Sequence, residues 1–234
     1  KSELLIDGNV LRENIVSIKK RLSEDSKFLA VIKSDAYGHN LKNIVNDIDD
    51  LVDGFGVVRI EEALEIRKHS NKKILLMQGV YSKEDFKLSR KQRLDLVIHN
   101  LFQFNIVKNE ESYERFWFKV NTGMNRLGFE IDDFLKIYDE NLKNKKFVLM
   151  SHLASSNEKN NSTNKSQFKL FDDLSKNLHK DVKKSIANTG CIFNYPEYSF
   201  DWVRCGIGIY GGYLKDKKLK TAMTLRSPII NLRE

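Results

Sequence analysis

The sequence predicts an α/β fold in which eight parallel strands and their helices close into a (β/α)8 barrel of the TIM type. Eight short apolar runs recur along the chain, each followed by small or polar residues and then by a stretch with helical spacing of its apolar positions. Such runs are buried on both faces, as in a parallel sheet. Eight units over roughly 200 residues fit a closed barrel, and an open doubly wound sheet is the structural alternative. The runs cover residues 28–33, 54–59, 74–78, 94–98, 116–120, 148–152, 184–187 and 202–210.

Both ends of the chain depart from this repeat. A strand-like run at 3–6 precedes the first helix, which the region of Asp7 and Asn9 can cap. Helices are predicted between the runs, for example at 61–69 and 134–142, where residues three and four apart share a face. Residues 222–233 predict one more strand, for which the sequence offers no neighbour. We therefore expect residues 1–221 to form the barrel and 222–234 to be the first strand of a carboxyl-terminal β domain that is largely missing.

Composition excludes several classes of partner. The 40 Lys and Arg residues exceed the 32 Asp and Glu residues, which gives a net charge of +8, but they are spread along the chain and form no basic patch. We therefore expect no nucleic-acid partner. No apolar stretch approaches the roughly 18 residues of a membrane span, which predicts a cytoplasmic protein without a membrane partner. Cys191 and Cys205 lack partners at metal-binding spacing, so we expect reduced, buried thiols and no metal site.

Polar residues at the ends of the predicted strands are the candidate site residues, because reactive groups of a parallel barrel gather at its carboxyl face. Lys33 ends the first run, behind three apolar residues, so its amine is expected at the barrel mouth and partly desolvated. A desolvated lysine is more readily neutral and can attack a carbonyl to form a Schiff base. The other candidates are Arg126 after the fifth run, His152 at the end of the sixth, Asn188 and Thr189 after the seventh, and Arg204 within the eighth.

Glycines in the last two units add a second kind of chemistry. Gly190, Gly206 and Gly208 fall where barrel enzymes often bind phosphate through backbone N–H groups. A phosphate site beside a reactive lysine indicates pyridoxal phosphate as the cofactor.

The run AVIKSDAYGH at 30–39 resembles the signature around the cofactor lysine of the alanine racemase family. Further matches follow in the family's order, and residues 223–233 resemble its entry into a carboxyl-terminal β domain. The resemblance spans nearly the whole chain. The matching segments are FKVNTGMNRLG at 118–128, SHLASS at 151–156, ANT at 187–189 and VRCGI at 203–207.

This resemblance implies a role for each matched residue. Lys33 would hold pyridoxal phosphate as an aldimine and act as one of two acid/base groups at the substrate α-carbon. Arg126 would bind the cofactor's phenolic oxygen and the substrate carboxylate, and His152 would pack near the pyridine ring. The phosphate would contact Tyr37, Asn188, Thr189, Gly206 and Ile207.

Arg204 would face the ring nitrogen. A permanently charged guanidinium there discourages protonation of the nitrogen, which suits a racemase and disfavours the related decarboxylases. Two positions depart from the family pattern: Asn121 stands where Asp is frequent, and Thr189 replaces a common Ser. Lys119 matches a position that carries a carbamate in some members, where it orients the neighbouring arginine.

The resemblance implies an isomerase that interconverts L- and D-alanine and supplies D-alanine for peptidoglycan, as a homodimer when intact. The second acid/base group of the family is a tyrosine of the second domain, from the partner subunit. Tyr210 and Tyr213 do not match it, so we expect the barrel alone to be poorly active or inactive. Two alternatives stay open: a barrel that binds pyridoxal phosphate without turnover, for cofactor homeostasis, and a racemase of another amino acid.

Overall fold

The structure is a computed structural model that describes residues 1–233, in which ten strands and eight right-handed α-helices occur. The strands are β1 (Glu3–Ile6), β2 (Lys27–Val31), β3 (Gly54–Val57), β4 (Lys73–Leu76), β5 (Asp95–Ile98), β6 (Phe116–Lys119), β7 (Val148–Met150), β8 (Lys183–Ser185), β9 (Trp202–Cys205) and β10 (Met223–Arg226). The helices are α1 (Gly8–Lys19), α2 (Leu41–Ile48), α3 (Ile60–Arg67), α4 (Lys83–Lys91), α5 (Leu101–Val107), α6 (Ile131–Ile137), α7 (Ser162–Lys176) and α8 (Thr189–Asn194). The remaining turns are a left-handed one at Lys33–Gly38, 3-10 turns at Asp49–Leu51 and Pro196–Tyr198, and a π-helical turn at Tyr138–Leu142.

Strands β2 to β9 form one parallel sheet that follows chain order from β2 to β8, while β9 pairs with β2. Hydrogen bonds draw β8 and β9 together: the Arg204 N–H donates to the Ala187 carbonyl at 2.9 Å, and the Lys184 N–H donates to Asp201 Oδ2 at 2.8 Å. Each of the eight predicted runs overlaps one of these strands. The predicted TIM-type barrel is confirmed, and the open doubly wound alternative is wrong.

Alternate strand residues fill the barrel interior. In β2, Leu29 and Val31 face inward, whereas Phe28 and Ala30 pack outward in the layer between strands and helices. The rings of Trp117 and Trp202 meet inside the barrel with centroids 5.6 Å apart. Because large side chains plug the interior, a binding site is expected at one end of the barrel.

Polar side chains cap most of these helices at their amino-terminal ends and so fix where each of them begins. Asp7 Oδ1 accepts from the Asn9 N–H at 2.9 Å and caps α1, as predicted. Similar caps are Ser82 on α4, Asn100 on α5, Asn161 on α7 and Asn188 on α8.

The expectation that the last strand has no neighbour is wrong. Strand β10 pairs antiparallel with β1, with Glu3 opposite Arg226 and Ile6 opposite Met223. The Asp7 N–H continues this ladder to the Ala222 carbonyl at 2.9 Å. The two termini thus form a small sheet outside the barrel, and the division at 221/222 stays a prediction.

Two expectations from composition concern the cysteines and membrane-spanning segments. Cys191 and Cys205 are free and buried, as predicted. Burial raises the pKa of the Cys191 thiol to about 12 and that of the Cys205 thiol to about 11, so both are poor nucleophiles. Among the described residues, no helix has the length and apolar character needed to cross a membrane.

Candidate active site

A cavity of about 480 Å³ opens where the barrel strands end, and all nine predicted site residues line it. A larger cavity of about 640 Å³ lies at the opposite end of the barrel, among charged side chains at the strand starts, and includes none of the nine. The smaller cavity is the candidate site because the predicted site residues line it and none of them lines the larger one. The nine residues are Lys33, Tyr37, Arg126, His152, Asn188, Thr189, Arg204, Gly206 and Ile207.

Lys33 is half-buried and begins a left-handed turn directly after β2. The φ angles of the next four residues, from Ser34 to Tyr37, lie between 51° and 55°. Left-handed backbone costs a non-glycine residue about 1–2 kcal/mol, so surrounding contacts must hold this turn. It curls Tyr37 back towards the cavity, where the ring centroid lies 6.0 Å from Lys33 Nζ.

Arg204 reaches the cavity from β9 and is 3% exposed. Its guanidinium donates to the Ser151 carbonyl at 2.6 Å and to Ser185 Oγ at 2.5 Å. Burial lowers the pKa of Arg204 to about 10, so it stays charged at neutral pH. Its partners are neutral oxygen atoms and one histidine nitrogen. No carboxylate therefore compensates the positive charge at this position.

His152 lies beside Arg204, and its Nδ1 is 3.2 Å from Arg204 Nη2. A guanidinium can only donate, so Nδ1 is the acceptor and the ring is neutral. Burial, followed by the charges of Arg204, Lys119, Arg126 and Lys33, holds the pKa of His152 well below its usual value. The same positive charges act on Lys119: burial, and then the charges of Arg204 and Arg126, lower the pKa of its amine to about 8.

The cavity is electropositive. Lys33, Lys119, Arg126 and Arg204 line it, and no Asp or Glu does among residues 1–233. Such a field favours anions, including phosphate, phenolate and carboxylate groups.

Arg126 is exposed at the rim, on the loop after β6. Asn121 shapes this loop, since its Oδ1 accepts from the N–H groups of Gly123 and Asn125, each at 3.1 Å. Its Nδ2 donates to Asn125 Oδ1 at 2.9 Å and to Glu130 Oε1 at 3.0 Å. An aspartate could not make those last two bonds, so the asparagine matches its neighbours.

The side chains of Asn188 and Thr189 are occupied inside the protein. Asn188 Oδ1 accepts from the Cys191 N–H at 3.1 Å and from Ser156 Oγ at 2.5 Å, and Thr189 Oγ1 lies 3.4 Å from Cys205 Sγ. Across the described chain, the N–H groups of Gly206 and Ile207 have no protein acceptor. A Cβ on Gly206 would lie 2.7 Å from Tyr37 Oη. These features form a close-fitting cradle with free donors, as an oxyanion requires.

Sequence reasoning missed two buried residues around the site. Gln167 on α7 is fully buried; its Nε2 donates to Thr122 Oγ1 at 3.2 Å and to the His152 carbonyl at 2.9 Å. It therefore ties the Arg126 loop to His152, which helical spacing alone could not reveal.

His99 directly follows β5, one position beyond the register pair Ile98 and Phe118, and so sits beside Lys119. It is 6% exposed, and its Nε2 has no partner among the described residues. Burial and the charge of Lys119 lower its pKa. The search for polar residues at strand ends could have found it.

Residues 6–214 match the family described as alanine racemase, N-terminal domain. The chain is 35% identical to an alanine racemase of Shewanella denitrificans over 98% of the chain and 67% of that relative. It is 33% identical to the biosynthetic alanine racemase of Pseudomonas aeruginosa over 98% of the chain and 66% of the relative. The match to the Shewanella sediminis alanine racemase covers 58% of that relative, so the chain spans about two thirds or less of the length of these proteins.

Solved structures agree with the fold. Alanine racemase from Acinetobacter baumannii superimposes with a TM-score of 0.89 at 29% identity, over 100% of this chain and 72% of its own. The Bartonella henselae alanine racemase, described with covalently bound pyridoxal phosphate, has a TM-score of 0.87 over 96% of this chain and 68% of its own. At 23% identity, the second likeness supports the fold alone.

Proposed function

This chain belongs to the alanine racemase family, matching its N-terminal domain, and from that premise we propose that the protein interconverts L-alanine and D-alanine with pyridoxal phosphate in the cavity at the barrel mouth. The observation that carries the proposal is the meeting of Lys33, Arg204 and the free N–H groups of Gly206 and Ile207 around one cavity that no described carboxylate lines.

The residues fit the cofactor. A lysine amine matches its aldehyde, an electropositive cavity matches its phosphate and phenolic oxygen, and the volume of about 480 Å³ suits a small ligand. Lys33 would hold the carbonyl carbon, while Tyr37 and the backbone of Gly206 and Ile207 would hold the phosphate. Asn188 and Thr189 shape that end of the cavity, because their side chains hold the backbone segments around the proposed phosphate site.

When bound, pyridoxal phosphate delocalises the electron pair left on the substrate α-carbon. Lys33 moves the α-proton on one face of the substrate, and Arg126 binds the substrate carboxylate at the rim. Arg204 would face the ring nitrogen of the bound cofactor, where its fixed positive charge would disfavour protonation of that nitrogen. This limits side reactions and makes decarboxylation a poor fit. Neutral His152 accepts a hydrogen bond from Arg204 and keeps its guanidinium in place.

Racemisation by two bases needs a second group on the opposite face. Tyr210 is buried and donates to the Val31 carbonyl at 3.3 Å, and Tyr213 stacks on Phe193 with centroids 4.5 Å apart. Neither is placed for this role. We assign it to the tyrosine that the family's second domain supplies across a homodimer, and we propose a cytoplasmic protein that makes D-alanine for peptidoglycan.

A carrier of pyridoxal phosphate without turnover is the second candidate. Two observations favour it: the proposed cofactor residues all lie within the barrel, and neither Tyr210 nor Tyr213 is placed as a second base. An assay of D- and L-alanine interconversion by the intact enzyme separates the two, because a carrier binds the cofactor and gives no racemisation. In the racemase, Lys33→Ala abolishes turnover; retained turnover would overturn the proposal.

A further inference from the structure

The left-handed turn that follows Lys33 is unusual for its composition. Ser34, Asp35, Ala36 and Tyr37 all have positive φ angles, from 51° to 55°, and only the fifth residue, Gly38, is a glycine. Side chains disfavour this backbone through contacts between Cβ and the carbonyl group. A run of four such residues persists only where the surrounding structure over-determines it.

Contacts within the turn explain its carboxyl-terminal half. The His39 Nδ1 lies 3.1 Å from the Ala36 carbonyl, and Asp35 Oδ1 accepts from the Leu41 N–H at 2.7 Å. In the amino-terminal half, next to Lys33, the Ala36 N–H donates to the Ile32 carbonyl at 3.0 Å, and the other contacts come from outside the turn. The Ser34 N–H donates to Glu62 Oε1 at 2.6 Å, and the Asp35 N–H approaches the same oxygen at 3.4 Å.

Glu62 lies in the first turn of α3, which follows the neighbouring strand β3. Its other oxygen, Oε2, accepts from the N–H groups of Val58 at 3.2 Å and Arg59 at 3.1 Å. Capping of α3 explains a glutamate at this place and explains the contacts of Oε2. It does not explain why Oε1 points away from the helix to Ser34.

We propose that Glu62 is a positioning residue for Lys33. Its carboxylate connects the backbone directly after Lys33 to the loop after β3. This connection fixes the directions in which the Lys33 amine and the Tyr37 hydroxyl point. Without this acceptor, the Ser34 and Asp35 N–H groups lose their partner and the turn relaxes towards right-handed backbone. Tyr37 then leaves its place beside Gly206, and the Lys33 amine leaves the cavity centre.

The inference rests on the proposed function for what Lys33 does, while the claim about the turn stands on the contacts alone. Its test therefore has two readouts. The first is amide hydrogen exchange at Ser34 and Asp35 in the chain without cofactor. The second is capture of added pyridoxal phosphate on Lys33, fixed with borohydride and located by peptide mass spectrometry.

Glu62→Ala is the main variant and Glu62→Gln the milder one, because the amide keeps one acceptor oxygen but turns a donor towards other donors. Glu65→Gln is the control: it lies one turn along α3, binds Lys68 and His69 and does not touch the turn. We expect exchange at Ser34 to be faster by about tenfold or more in Glu62→Ala, as loss of a charged acceptor predicts. The concentration of pyridoxal phosphate that half-saturates Lys33 should rise by a similar factor in Glu62→Ala. It should rise less in Glu62→Gln and stay unchanged in Glu65→Gln.

Unchanged exchange and unchanged cofactor capture in both Glu62 variants would overturn the inference. If Glu62→Ala unfolds, the test uses Glu62→Gln and Glu65→Gln, each measured at the same interval below its own melting temperature. Equal exchange at Ser34 and equal cofactor capture in these two variants would then overturn the inference. If the unmodified chain captures no cofactor on Lys33, the proposed function fails, and the exchange rates alone decide whether Glu62 holds the turn.

Discussion

Arg204 donates a hydrogen bond from Nη2 to Nδ1 of His152, over 3.2 Å, inside the cavity at the barrel mouth. The bond fixes two properties together: the histidine stays neutral with its proton on Nε2, and the arginine keeps its charge in a fixed direction. Burial and then the surrounding positive charges hold the pKa of His152 low and keep the ring neutral. The same positive charges attract an anionic ligand.

The chain should lose stability on mild acidification because of His152. The unfolded chain protonates this imidazole below its usual pKa of 6.5, whereas the folded chain does not. The unfolded state therefore binds more protons, and the free energy of unfolding falls between about pH 7 and about pH 5. Urea unfolding at both pH values measures the slope. His152→Asn, which keeps an acceptor for Arg204, should flatten it, whereas exposed His179→Asn should leave it unchanged. An equal slope in both variants would contradict the assignment.

Lys119 should react with carbon dioxide. Its pKa of about 8 leaves part of the amine neutral near physiological pH, and a carbamate would replace a repelled cation by an anion between Arg126 and Arg204. Carbon dioxide adds to the amine nitrogen and one proton is released. We expect bicarbonate to raise the melting temperature and a ¹³C carbamate signal to form, both lost in Lys119→Met. A signal that survives in Lys119→Met would place the carbamate elsewhere.

Gln167→Leu should destabilise the chain by about 1–3 kcal/mol, because it leaves buried polar groups near Thr122 and His152 without partners. Hydrogen exchange should quicken in the loop at 121–128. Ser166→Ala, at the exposed neighbouring position, is the control for urea unfolding. A stability equal to that of the control would show that Gln167 does not link the two segments.

Gly206→Ala should weaken cofactor capture by pushing Tyr37 aside, because the new Cβ lies 2.7 Å from the Tyr37 hydroxyl oxygen. Tyr37→Phe removes that oxygen and most of the clash. A double-mutant cycle should therefore show coupling of about 0.5–3 kcal/mol in cofactor affinity. Strictly additive effects would mean that Gly206 and Tyr37 act separately.

The sequence predicted the barrel well because its strands are short, buried and repeated, so eight apolar runs located all eight strands. The rule for strand ends, which needs only the position of each run, also found six of the residues that line the cavity. The glycines of the last two units added Gly206, and the family resemblance added Tyr37 and Ile207. It could not predict the left-handed turn at 34–37, which lacks a glycine until Gly38, or the contact from Glu62 that lies 28 residues further along. The pairing of β1 with β10 was missed for a similar reason, because it joins opposite ends of the chain.

Site-specific capture of the cofactor tests the central claim most directly. The chain is mixed with pyridoxal phosphate, reduced with borohydride and digested, and the modified lysine is identified by mass spectrometry. We predict the label on Lys33, with its absorbance band lost in Lys33→Ala and retained in Lys165→Ala, a change outside the cavity. A label on Lys119, the other lysine that lines the cavity, or no label above that of surface lysines, would contradict the account.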